Sequence, residues 1–148
     1  MRLLTLFTAA TFMVFAVGCG TQPKADEGYN PDNDEALQEA IANSTRGEEL
    51  RKLISDTPAE EQRDTAYLII NMPEHDREAM DLELLKENVT YANIAREKYA
   101  WAQALPEDVY QCDVLPYAVV DEVRDSWRKE LYEMFSPAVD TCATMYDA

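Results

Sequence analysis

The sequence predicts an all-α fold, an irregular bundle of six or seven short helices that follows a signal peptide and a disordered tether. In residues 35–148, apolar side chains recur every three or four positions, which is the spacing of one helix face. All four glycines lie in the first third of the chain, and the last of them is Gly47. Tight hairpins need glycine at positive φ, so beyond Gly47 we expect helices joined by short polar connectors.

The chain is strongly acidic, with 29 Asp and Glu residues against 13 Lys and Arg residues and a formal net charge of −16. Nucleic-acid binding depends on Lys and Arg side chains that neutralise phosphates, so no nucleic-acid partner is expected. The stretch after Gly47 has no glycine with which to build a P-loop, a dinucleotide-binding loop or a nucleophile elbow. The sequence therefore predicts an acidic surface and no cofactor.

Residues 1–18 have the layout of a secretory signal peptide. Arg2 precedes the apolar run Leu3–Val17, which is too short for a comfortable membrane span. The run ends in Ala-Val-Gly directly before Cys19, an arrangement similar to a bacterial lipobox. Cys19 is therefore predicted to become the first mature residue and to carry a lipid. An ordinary cleaved signal followed by an incidental cysteine is the alternative.

A lipid on Cys19 would hold the protein on a membrane of the bacterial cell envelope, facing the periplasm or the exterior. Residues 19–34 are polar and contain Pro23, Gly28 and Pro31, which predicts a disordered tether. The helical domain is expected to occupy residues 35–148.

The first half of this domain predicts three helices. The first is Glu35–Ala42, with Asp34 as its cap; the second begins at the capping-box spacing Thr45–Glu48 and runs to Ile54. The third begins at a similar box, Thr57–Glu60, and ends before Pro73, because the residue before proline avoids the helical region. Their predicted buried residues are Leu37, Ala40, Ile41, Leu50, Leu53, Ile54, Ala66, Tyr67 and Ile70.

The second half predicts a helix from Leu82 to about Tyr99 capped by Asp81, then a short helix that begins at Leu105-Pro106. Residues 117–120 are expected to be irregular. A further helix, capped by Asp121 or Asp125, should reach Phe135, and Ser136-Pro137 should begin a last one. The predicted inward-facing residues are Leu85, Val89, Ala92, Tyr99, Val109, Tyr110, Val114, Val123, Trp127, Leu131, Met134, Phe135, Val139, Cys142 and Tyr146.

Cys112 and Cys142 could form a disulfide in an oxidising compartment, and two separate buried thiols are the alternative. A nucleophilic cysteine needs a histidine and an orienting acid. The only histidine, His75, precedes Cys112 and lies in the polar run Glu74–Arg77, which we expect to be a connector. His75 with its acidic neighbours does not make a metal-ligand set. No catalytic and no metal-binding residue is therefore predicted.

Three stretches carry a family resemblance: Ile69–Pro73, Leu85–Ala92 and Asp113–Arg128. In order and spacing they resemble the helical region that precedes the catalytic core of bacterial transglutaminase-like proteins, over roughly residues 58–148. The resemblance implies a helical scaffold followed by a papain-like Cys-His-Asp core for acyl transfer or amide hydrolysis. The sequence ends where that core would begin, so the expectation is a truncated piece that is inactive alone. Its expected partner is the C-terminal core or an unknown envelope protein.

The motif residues with expected structural roles are Pro116, Tyr117, Glu122, Arg124, Trp127 and Arg128. Charge pairs between the acids at 121–122 and these arginines are expected to fix the loop after Pro116, or to form a docking face for the core. The alternative function is a stand-alone envelope lipoprotein that binds a protein or a glycan. Exposed aromatic rings at Trp101, Tyr110 and Tyr117 would favour glycan binding.

Overall fold

The structure is a computed structural model that describes residues 28–118 and 122–142. The predicted signal peptide, Cys19, the tether as far as residue 27, Asp121 and Tyr146 lie outside these residues. Within them the predicted all-α fold is confirmed, with eight α-helices and no strand. No helix in the described ranges has the length and apolar character needed to cross a membrane.

The helices follow one another with short connections. They are α1 (Glu35–Ala42), α2 (Gly47–Asp56), α3 (Gln62–Asn71), α4 (Glu74–Ala79), α5 (Leu82–Lys98), α6 (Ala100–Gln103), α7 (Glu107–Val109) and α8 (Trp127–Val139). Short 3₁₀ turns at Pro31–Asn33 and Ala59–Glu61 precede α1 and α3, and a π-helical turn at Tyr110–Val114 extends α7.

The hydrophobic core lies between α1, α2, α3 and α5 and is closed by the chain that follows α7. The predicted inner faces of α1, α2 and α5 are confirmed, since their expected aliphatic residues are buried. In α3 the buried face is rotated: Leu68 and Ile69 are buried beside Ala66, while Tyr67 and Ile70 are only half-buried. The core is completed by Met72, Met80, Tyr110, Leu115 and Tyr117.

Two of the predicted helix caps are confirmed. The Asp34 carboxylate accepts the backbone N–H of Leu37 at 3.1 Å, and the Asp81 carboxylate accepts that of Glu83 at 3.0 Å. In both helices the short acidic side chain satisfies an N–H that has no partner inside the helix. Sequence alone was sufficient here because a cap is a local interaction.

The two capping boxes predicted at Thr45 and Thr57 do not form. The backbone N–H of Thr45 donates instead to the carboxylate of Glu78 in α4, at 3.1 Å. The Thr57 hydroxyl donates back to the carbonyl of Leu53 at 2.8 Å. Thr45 is engaged by a residue of another helix, and Thr57 by the helix that precedes it. Ser and Thr side chains often make such alternative hydrogen bonds in place of a cap.

The helical domain begins upstream of Glu35, within the predicted tether. Tyr29 is half-buried against the core, and its hydroxyl donates to Asp34 at 2.8 Å. The side chain of Gln38 donates to the carbonyl of Pro31 at 3.0 Å, which fixes the 3₁₀ turn to α1. The apolar ring of Tyr29 accounts for this difference, because it is the only aromatic residue in the otherwise polar stretch 19–34.

The polar run Glu74–Arg77, expected to be a connector, is the first part of α4. Arg77 donates from Nε to the carbonyl of Ile69 at 3.2 Å and from Nη2 to that of Met72 at 3.3 Å, so it covers the end of α3. The neighbouring Asp76 is buried. A charged run of this kind predicts a loop from sequence, because Tyr117 and Arg124, the partners that bury Asp76, lie far away along the chain.

The end of the described chain also differs from the prediction. α8 begins at Trp127, and the preceding Ser126 makes no side-chain cap to it. The helix then continues through Pro137 to Val139 instead of restarting at Ser136. Proline lacks a backbone donor and its ring crowds the carbonyl four residues earlier, but Pro137 lies in the last turn of α8, where little of the helix remains to be disrupted.

Candidate functional site

The segment Asp113–Arg128, which carries the strongest part of the resemblance, is held by the side chain of Arg128. This guanidinium leaves α8 and donates to the Asn88 side-chain oxygen at 2.7 Å and to the Val114 and Pro116 carbonyls at 2.6 and 3.1 Å. Asn88, buried in α5, donates in turn to the carbonyl of Leu115 at 2.7 Å. Burial lowers the pKa of Arg128, yet a guanidinium remains charged at neutral pH.

Asp76 in α4 is a second residue that holds this segment in place. Its Oδ2 accepts from the Tyr117 hydroxyl at 2.7 Å and from the Arg124 guanidinium at 3.0 Å. Burial alone would raise the pKa of Asp76, but these two donors hold that pKa below its ordinary value. From the sequence, Arg124 is expected to pair with the acids at 121–122. The structure supplies Asp76 as a carboxylate partner and has Arg124 donate to the backbone carbonyl of Glu122 at 2.7 Å.

Trp127 links the two ends of this segment. Its indole N–H donates to the carbonyl of Tyr117 at 3.1 Å, and the Arg128 guanidinium lies 4.6 Å from the centre of its ring. Four of the six predicted motif residues thus take part through their side chains, and Pro116 and Glu122 through their backbone carbonyls, in contacts that link α4, α5 and α8. We call this set of contacts the brace: Asp76, Asn88, Tyr117, Arg124, Trp127 and Arg128.

A separate buried polar cluster holds the π-helical turn and centres on Asp64, which the sequence analysis missed. Asp64 accepts from the Tyr110 hydroxyl at 3.0 Å and from the Asn93 side chain at 2.9 Å. Desolvation raises the pKa of Asp64, although both hydrogen bonds oppose the rise. Arg96 lies 3.9 Å from the centre of the Tyr110 ring and pairs with Glu107 at 2.6 Å. One feature of the sequence could have indicated this cluster: Asp64 is an acidic residue within the apolar pattern of α3.

The remaining candidate residues are not gathered into a reaction centre. Cys112 is exposed, with its Sγ 3.7 Å from the Tyr67 hydroxyl. The sulfur of Cys142 lies 3.6 Å from the carbonyl of Ala138, and a disulfide between the two cysteines stays a prediction. His75 is largely exposed and lies 3.2 Å from the Asp76 carboxylate. No group of three or more His, Cys, Asp or Glu side chains able to hold a metal occurs within residues 28–118 and 122–142.

The three aromatic residues considered for glycan stacking do not form an exposed cluster. Tyr110 and Tyr117 are buried, and their hydroxyls donate to Asp64 and Asp76. Trp101 is half-buried and stacked on Tyr99 with the ring centres 5.4 Å apart. This arrangement removes the main reason for expecting a sugar-binding face.

The apolar stripe predicted for the core in the helix that reaches Phe135 is instead exposed, except for the half-buried Trp127. Val123 is 76% exposed, Leu131 43%, Met134 67% and Phe135 53%. α8 contacts α5 through a different side: Tyr132 packs against Tyr91 at 5.4 Å, and Asp140 just past the helix pairs with Lys98 at 2.5 Å. Arg128 and Tyr132 make the contacts with α5, and the side chains of Leu131, Met134 and Phe135 remain exposed beside them.

An open cleft of about 770 Å³ lies beside this stripe, at the start of α8. Its apolar lining comes from Val114, Pro116, Ala118, Val123, Trp127 and Leu131. Exposed Asp113, Glu122 and Asp125 line the same cleft, and Arg128 is its basic residue. We call this surface, together with Met134 and Phe135, the α8 cleft.

The chain was compared with protein-family models, with curated proteins and with solved structures, and no match was found in any of the three. The resemblance to transglutaminase-like proteins therefore stays a prediction from sequence motifs. The function has to be inferred from the brace and the α8 cleft.

Proposed function

We propose that this domain is a structural scaffold of a lipid-anchored, transglutaminase-like protein of the cell envelope. Acyl transfer or amide hydrolysis would be performed by a Cys-His-Asp core outside the described residues. One observation carries the proposal: the polar motif residues contact one another and backbone carbonyls in the brace. These contacts position chain segments.

The chemistry of the brace supports a positioning role. Charge-assisted hydrogen bonds are stronger than neutral ones and strongly directional, so an arginine bound to two carbonyls holds a loop in one conformation. Arg128 does so for the carbonyls of Val114 and Pro116. The same contacts set the start of α8 relative to α5, and α8 would then lead towards a following core.

A second candidate function, a helical protein-binding module, is favoured by the exposed apolar side chains of α8. Surfaces of this kind mark protein contacts more often than chemistry. The two proposals differ in one respect: the scaffold needs a catalytic core, whereas the binding module acts without one.

Isolating the native protein with an antibody against residues 28–142 tests the scaffold proposal. The material is assayed for amine incorporation into, and release of ammonia from, a glutamine-containing peptide. We expect activity that is lost on thiol alkylation but retained when Cys112→Ser and His75→Ala replace the native residues. An isolate in which no Cys-His-Asp core accompanies the domain, and which has no activity, would leave the binding module.

Membrane attachment through Cys19 is a separate proposal, supported by the Ala-Val-Gly-Cys sequence at residues 16–19. Labelling cells with a radioactive fatty acid should label the native chain and leave a Cys19→Ser chain unlabelled. The substituted chain should also leave the membrane fraction. Equal labelling or equal membrane retention of both chains would contradict anchoring at this residue.

A further inference from the structure

We propose that the α8 cleft is a docking site for a basic, amphipathic helical segment of a partner protein. This inference does not depend on the proposed catalytic core. It rests on two independent properties of the surface, an exposed apolar stripe and the sign of the charges beside it.

The apolar stripe has the geometry of a helix-binding surface. Leu131, Met134 and Phe135 repeat at helical spacing along α8 and are exposed, and Trp127 and Val123 continue the stripe into the cleft. A helix rises about 1.5 Å per residue, so the 13 residues of α8 present a surface about 20 Å long. An apolar helix face of about 14 residues would cover it, with anchor residues every three or four positions.

The charges beside the stripe are mainly negative. Asp113, Glu122 and Asp125 line the cleft, and exposed Glu130 and Glu133 lie along α8 itself. Arg128, the basic group of the cleft, already donates to Asn88, Val114 and Pro116. A partner with Lys or Arg beside its apolar face would therefore be complementary to this surface.

The same charges argue against the other occupants of such a surface. A second copy would bring an equally acidic edge against this one, in a chain whose net charge is −16. An anionic membrane would be repelled in the same way. Like charges across an interface are unfavourable, so the observations select a basic segment.

The surface is also held in place before a partner arrives. Trp127, in the wall of the cleft, donates to the carbonyl of Tyr117, and Arg128 ties Pro116 to α5 through Asn88. A partner would thus not have to order this part of the cleft, and this lowers the entropic cost of binding.

The test uses the full chain and two synthetic helices of about 14 residues, a length set by the helical rise given above. Both peptides have leucines at positions i, i+3, i+4 and i+7; one has lysines on its flanks, and the other has glutamates at the same positions. Fluorescence anisotropy of the labelled peptides measures binding. Two variants of the α8 cleft, Leu131→Ser and Phe135→Ser, are compared with Ile94→Ser, an exposed apolar residue of α5 outside the cleft.

We expect the lysine peptide to bind, the glutamate peptide to bind at least ~10-fold more weakly, and added salt to reduce the difference. Each cleft variant should weaken binding of the lysine peptide about 10-fold, a loss typical of an interface anchor, whereas Ile94→Ser should not. Circular dichroism of each variant establishes that the fold is retained; these side chains are exposed, so it should be.

The proposal would be overturned if the lysine peptide did not bind, or if both peptides bound equally well. It would also be overturned if Ile94→Ser weakened binding of the lysine peptide as much as the cleft variants do. A last contrary result would be occupation of the cleft by a second copy of the chain or by a membrane. Sedimentation would show this as a dimer broken by Leu131→Ser, and flotation would show it as binding to phosphatidylglycerol vesicles that the same substitution abolishes.

Discussion

Replacing Arg128 by alanine should lower the stability of the domain more than replacing any exposed arginine or lysine. The substitution removes three charge-assisted hydrogen bonds, to Asn88, Val114 and Pro116, with lengths of 2.7, 2.6 and 3.1 Å. A hydrogen bond to a charged group contributes up to about 3 kcal/mol, but water can reach part of this half-buried site. With about 1 kcal/mol for each bond, the expected loss is about 3 kcal/mol.

The measurement is thermal and urea denaturation followed by circular dichroism. For a domain of this size, 1 kcal/mol corresponds to roughly 4–8 °C in Tm, so Arg128→Ala should melt on the order of 15 °C lower. Lys129→Ala is the matched control, because Lys129 is adjacent, exposed and equally charged. Its expected effect is within about 0.5 kcal/mol of zero.

Arg128→Lys separates hydrogen-bond geometry from charge. A lysine retains the positive charge but cannot reach three acceptors with a planar fork, so about 2 kcal/mol should still be lost. A double-mutant cycle with Asn88→Ala should give a coupling energy of about 1 kcal/mol. If Arg128→Ala and Lys129→Ala have equal free energies of unfolding, the brace does not stabilise the fold and the positioning role is refuted.

Three further predictions follow from the buried acids and the thiol. Asp76 has a lowered pKa, so its stabilisation is present above its unfolded pKa of about 3.9 and is lost as the pH falls through its folded pKa. Asp76→Asn should therefore cost about 1–2 kcal/mol at pH 7, and the difference from wild type in urea titrations should shrink below about pH 4. Asp64 has a raised pKa, so the sign is opposite: its contribution is present below the unfolded pKa and lost as the pH rises. Wild type should gain stability on acidification from pH 7 towards pH 4, whereas Asp64→Asn should show a flatter profile; a steeper one would be evidence against burial of the charge. Native Cys112 should react with a thiol reagent and Cys112→Ser should remove that reaction, whereas protection that disappears on reduction would indicate a disulfide.

Much of the first part of the fold could be predicted because its determinants are local. Asp34 and Asp81 lie next to the N–H groups that they cap, and the aliphatic pattern of α1, α2 and α5 directly marks the buried face. The prediction was wrong for the two threonine boxes. Thr45 has the spacing of a local helix cap, but its backbone N–H donates to Glu78 in α4, a partner that the local spacing cannot reveal.

The brace was predictable only in part. The motif suggested that Arg124 and Arg128 fix the loop after Pro116, and both arginines do contact that region. Their distant partners, Asp76 and Asn88, were not foreseen. They lie 48 and 40 residues away along the chain, and no local rule pairs residues at such separations.

The amino-acid sequence by itself determined the all-α class, the main helices and most of the aliphatic core, because periodicity, caps and the absence of glycine after Gly47 act over a few residues. Tertiary structure alone decided which side of α8 is covered. Helical spacing marked Leu131 and Phe135 as core, but the contacts of Arg128 and Tyr132 with α5 orient the helix so that the apolar side remains exposed. Periodicity shows that a helix has an apolar face, whereas burial requires a second surface to cover it.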